Sequence, residues 1–127
     1  MTSTAIVTLT DQTYEAKAKC TIIDVRTRGQ WHGDIVLIAI GFDMSKNFLD
    51  YYGVTQKRFE HIDTTKLTEQ YQKNPLQTVG DNRHLLKLTQ WNKFYVFDPW
   101  FAQWKRIVFL DAGLRVFDSL QYLLHLS

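Results

Sequence analysis

The sequence predicts an α/β domain of three layers, a parallel sheet held between helical layers, and three observations predict it. Apolar runs rich in β-branched residues recur at 5–9, 35–40 and 106–110. Each is short enough for a strand and close to continuous in hydrophobicity, as strands covered on both faces are. The segment between the first two repeats its apolar residues at helical spacing, which makes a strand-helix-strand unit. The third run, Ile107-Val108-Phe109-Leu110, breaks off at Asp111-Ala112-Gly113. It reads as a central strand, and polar residues at its carboxyl end stand where α/β sheets bind ligands.

In chain order, residues 5–9 pass through the polar group Thr10-Asp11-Gln12-Thr13 into a helix beginning at Tyr14. Tyr14, Ala18, Ile22 and Val25 share one face, while Lys17, Lys19, Asp24, Arg26 and Arg28 point elsewhere, and Gly29 supplies a C-cap. After the strand at 35–40, closed by Gly41, Ser45 is placed to cap a short helix over 46–52 that Gly53 ends. A further short strand is predicted at 58–62, and 63–81 carries turn signals without a firm element. From 83 to 104 the pattern is helical in two pieces, divided at Asp98-Pro99. Its aromatics, Trp91, Tyr95, Phe97, Trp100, Phe101 and Trp104, read as core. Residues 114–117 look like a strand, and Asp118 with Gln121 forms a capping box for a last helix over 119–126.

Composition narrows the function. The chain has 127 residues, 45% hydrophobic and 22% charged, and makes one domain over 1–127. A net charge of +2 with scattered cations argues against nucleic acid as partner. The single cysteine, Cys20, rules out an internal disulfide and reads as a small buried helix residue. His32, His61, His84 and His125 lack ligand spacing for zinc, and no glycine-rich phosphate loop is present. With no basic leader and no long apolar span, a cytoplasmic chain without membrane contact is expected.

The order Val7-Thr8-Leu9-Thr10, a tyrosine four residues on, Lys93 in an aromatic helix, and Arg106 to Gly113 followed by Phe117-Asp118-Ser119-Leu120 carry a resemblance. Over nearly its whole length the chain resembles the N-terminal half of a nucleotide-sugar glycosyltransferase of the glycogenin and galactinol synthase type. The resemblance implies a Rossmann-like nucleotide-diphospho-sugar transferase (GT-A) domain, cut short after the strand that bears the family's Asp-x-Asp motif. It implies a nucleotide-sugar donor, commonly a UDP-sugar, an unknown acceptor, and a divalent cation, Mn2+ or Mg2+, bound through Asp111. Leu9 and Thr10 would line the uracil and ribose pocket and Tyr14 would pack on the base. The turn is one residue shorter than the family pattern, so Asp11 could stand in place of Thr10. Lys93 matches the helical lysine that approaches the donor phosphate or sugar.

Gly113 occupies the place of the second motif aspartate. A hard cation that wants oxygen ligands thereby loses a carboxylate, and weakened metal dependence is expected. The family's acceptor site and its catalytic groups follow in the second half, so no catalytic residue is assigned here. A non-catalytic nucleotide-sugar-binding module is the alternative, with a phosphatase using Asp111 as nucleophile ranked below it. One sheet edge and one aromatic face left bare would favour a homo-oligomer.

Overall fold

The first two apolar runs become strands β1, Thr4–Asp11, and β2, Asp34–Ile40, which pair in parallel from Ala5 opposite Asp34 to Asp11 opposite Ile40. Between them runs helix α1, Glu15–Arg26. Helix α2, Lys46–Tyr52, leads to β3, Val54–Phe59, which adds in parallel to β2. Two 3-10 helices, Leu88–Phe97 and Pro99–Gln103, precede β4, Arg106–Phe109, which pairs in parallel with the other side of β1. A third, Gln121–His125, comes last. This computed structural model describes residues 4–63, 65, 66, 69, 70 and 88–125.

The sheet order is β3-β2-β1-β4. Alternating side chains send Ile6, Ile35, Leu37, Ala39 and Val54 into a core with Ala18, Ile22 and Val25 of α1. Ala5, Val7, Val36, Ile38 and Ile40 face the opposite way, onto Phe101 and Trp104. The fold is therefore three layers built on a parallel sheet, compatible with a Rossmann-like arrangement. The predicted strands at 5–9, 35–40 and 106–110 lie side by side.

Several expectations need correction. Among the described residues β4 is an edge strand, half-buried along its length, and not a central one. Its side chains reach both cores, Val108 and Leu110 one, Ile107 and Phe109 the other. An apolar run reports covered faces, whereas a central or edge position depends on backbone pairing, which the side chains do not encode. β3 begins at Val54, not near Arg58, because an edge strand can carry Thr55, Gln56, Lys57 and Arg58 without penalty. Residues 114–117 pair with no strand among the described residues, and the last helix is a single 3-10 stretch without a capping box. There Asp118 Oδ1 accepts from Ser119 N–H, and Ser119 Oγ from Gln121 N–H.

Burial also differs from expectation in places. Cys20 is exposed, while Asp24, expected on the solvent face, is buried. Of the aromatics expected in the core, Phe101 and Trp104 are buried, Tyr95 and Trp100 pack partly, and Trp91 and Phe97 are exposed. In the 3-10 helix Leu88–Phe97, residues three apart stand one above another, so Trp91, Phe94 and Phe97 share one side, and that side is exposed. Helix α2 matches its predicted span and ends on a left-handed Gly53, but Ser45 makes no side-chain cap. After α1 the left-handed residue is Gln30 and not Gly29. Gly29 is required for space, since a Cβ there would lie 2.6 Å from the Val25 carbonyl oxygen. Among the described residues no helix is long and apolar enough to cross a membrane. The sequence stretch 71–87, including the start of the predicted helix at 83, lies outside the described residues.

Candidate functional site

Because all four strands are parallel, their carboxyl ends share one rim. The chain steps outward from β1 through β2 to β3, then returns to lay β4 on the free side of β1, so the winding reverses between β1 and β4. Such a reversal leaves a crevice outside the strand ends, the usual ligand position in open α/β sheets. The β1–α1 turn and the residues after β4 meet there.

In the first of these, Asp11 Oδ1 accepts from Tyr14 N–H at 3.2 Å, which folds the four-residue turn into α1. Thr10 is buried and its hydroxyl donates to the Asp11 carbonyl at 2.8 Å. Leu9 packs partly against the 3-10 layer. Asp11, at the end of β1, is half-buried where Thr10 is buried. The Tyr14 ring is 54% exposed, with Lys17 Nζ 5.4 Å from its centre. One turn of helix separates them, the spacing at which side chains meet.

Beyond β4, Leu114 N–H donates to the Asp111 carbonyl at 3.1 Å and closes a turn. Gly113 sits in it at φ +96, a conformation that favours glycine. Its N–H donates to Thr21 Oγ1 at 2.8 Å, and that hydroxyl lies 3.0 Å from the Leu114 carbonyl. From the opposite layer, Lys93 reaches over the Phe109 ring to place Nζ 2.9 Å from Asp111 Oδ1. Both partners are about half exposed, so the pair orients Lys93 while costing little to rearrange. Next to Lys93 a small cleft of about 200 Å³ is lined by Phe94, Val96, Phe97 and Phe109.

The structure thus brings Tyr14, Lys93, Asp111 and Gly113 to one rim, with Leu9 and Thr10 in the strand beneath. Two contributors escaped the sequence analysis. Lys17, three residues after Tyr14, lies with its Cδ 3.6 Å from where a Gly113 Cβ would be. Thr21, one turn further, anchors the 111–114 turn. The steps of three and four residues from Tyr14 through Lys17 to Thr21 were the available signal, since they place all three on adjoining positions of one helix side. A larger open groove of about 680 Å³ under residues 114–122 is a weaker candidate. Its Arg115 is committed to Asp24 at 2.8 Å and its Asp118 to the Ser119 N–H.

A divalent cation does not fit these residues. One oxygen of Asp111 already faces an ammonium, position 113 offers no carboxylate, and φ +96 would strain one placed there. Among the described residues no three His, Cys, Asp or Glu side chains cluster tightly enough to hold an ion. No protein-family model matches the sequence, and no curated protein matches it.

Proposed function

We propose that the chain binds a nucleotide-diphospho-sugar, a UDP-sugar first, at the β1–β4 rim and serves a glycosyl transfer from it, as the donor half of a GT-A-type domain. The observation that carries this reading is the meeting of the β1–α1 turn with Asp111 at two adjacent parallel strand ends, where the winding reverses. Tyr14 offers an exposed ring for a flat base, Asp111 Oδ2 and Asp11 offer acceptors for ribose hydroxyls, and Lys93 offers a cation to phosphate. A donor-binding module that performs no transfer is the second reading, favoured by the positive φ of Gly113, which keeps a second carboxylate out of the turn.

Calorimetric titration tests the donor site. UDP and UDP-sugars should bind more tightly than their adenine counterparts. Tyr14→Ala should weaken UDP by about tenfold, the scale of one base stacked on one ring. Asp111→Asn should weaken it as well. Equally weak binding of all nucleotides, unmoved by either substitution, would remove the assignment. Release of free sugar from a UDP-sugar separates the transferase from the binding module.

A further inference from the structure

We infer that this site holds its diphosphate without a divalent cation, the ammonium of Lys93, assisted by Lys17, supplying the positive charge; the inference rests on the donor-site reading above. A diphosphate entering the rim needs counter-charge. In a metal-dependent site, paired carboxylates exist to hold an ion that bridges to the phosphates. Here a single carboxylate, Asp111, holds a cation that belongs to the chain itself, Lys93 Nζ at 2.9 Å. An ammonium has three donors, so the bond to Asp111 leaves others for phosphate oxygens. A metal ion on the same carboxylate would have to displace that ammonium or endure its repulsion.

The turn between the two lysines supports the same conclusion. Lys93 approaches from the 3-10 layer with its ammonium on Asp111, and Lys17 from α1 with its stem beside Gly113 and its ammonium over the Tyr14 ring, so the two lysines flank the 111–114 turn from opposite faces of the sheet. Gly113 presents no side chain to an anion settling on it, and its φ of +96 would strain an aspartate placed there. A Cβ added at 113 would point at the Lys17 stem, so an aspartate there would meet a lysine and not an open coordination position. The departure from a paired-carboxylate motif is then matched by the placement of two lysines, which is what a change of counter-ion requires.

The test is titration of the full chain with UDP and with uridine, in chelator and in Mn2+. UDP affinity should agree within about threefold between the two conditions, or fall in Mn2+, because metal on the diphosphate competes with the lysines. Lys93→Met should weaken UDP by about ten- to a hundredfold in chelator and leave uridine unchanged, since bonds to charged groups are worth that much. Lys93→Arg should recover most of the loss, and thermal melts of both variants should match the parent, as expected for a half-exposed side chain. Tenfold tighter UDP binding in Mn2+, abolished by Asp111→Asn, would overturn the inference and leave the donor site standing. Parental UDP affinity in Lys93→Met would also overturn it. Failure of UDP to bind under either condition would remove the donor-site reading and this inference together.

Discussion

Arg26 shows how far a single side chain can depart from its reading in the sequence, where it is one of the basic residues at the end of α1. It donates Nε to the Tyr52 carbonyl at 2.7 Å, Nη1 to Trp31 and Gly33 at 2.9 and 2.7 Å, and Nη2 to Gly53 at 3.0 Å. Those carbonyls belong to the loop before β2 and the turn before β3. One guanidinium therefore fastens two loops to the end of α1, which a lysine's single nitrogen cannot reproduce. Arg26→Ala should lower the free energy of unfolding by about 2–3 kcal/mol and Arg26→Lys by less, read from urea midpoints at constant slope.

Between elements, α1 and the segment after β4 are joined along their length. Thr21 takes the Gly113 N–H, Asp24 takes Arg115 Nε and the Val116 N–H, and the Gly29 carbonyl accepts from Leu120 N–H at 2.7 Å. The segment needs no strand partner because α1 satisfies its backbone with side chains, and Val116 and Leu123 complete the core beneath. Thr21→Val keeps the shape but leaves the Gly113 amide without its acceptor. It should cost about 1–2 kcal/mol in urea unfolding and weaken UDP, because the turn carrying Asp111 loosens. Thr21→Ser should restore both.

Legibility follows from the same contacts. β1, β2, α1 and α2 were readable because local periodicity and glycine positions record which faces are covered, and these elements cover each other locally. β3, the edge position of β4 and the 3-10 character of the aromatic layer were not readable. β3 hides because an edge strand can carry polar residues, and the other two depend on partners distant in sequence. For the candidate site, Asp111 and Gly113 stood out as polar punctuation after an apolar run. Lys17 and Thr21 did not, since their roles arise only when a turn more than 90 residues away is laid on α1.

At the scale of the whole molecule, Asp24 links these contacts to pH. Bonds from Arg115 and the Val116 amide hold its carboxyl below the ordinary value of 3.8. With the folded value depressed, the ionised group stabilises the fold at every pH above that of the unfolded chain, and the contribution is lost as pH falls through the folded value. Asp24→Asn should melt at lower temperature than the parent near neutrality, and the gap should narrow below about pH 4. A gap constant down to pH 2 would place the effect in packing and not in charge.

The position of β1 inside the sheet has a consequence for the order of assembly. One of its edges pairs with β2 across a single helix, but the other waits for β4, whose Arg106 meets Thr4 across a separation of 102 residues. Closing so long a loop is slow compared with forming the β1–α1–β2 unit. Translation proceeds from the N-terminus, so a growing chain carries the apolar strand β1 with the backbone groups of one edge unpaired until β4 has been made. That edge is the place where a nascent chain pairs wrongly with a neighbour, and where a chaperone holding extended apolar segments gains most by binding.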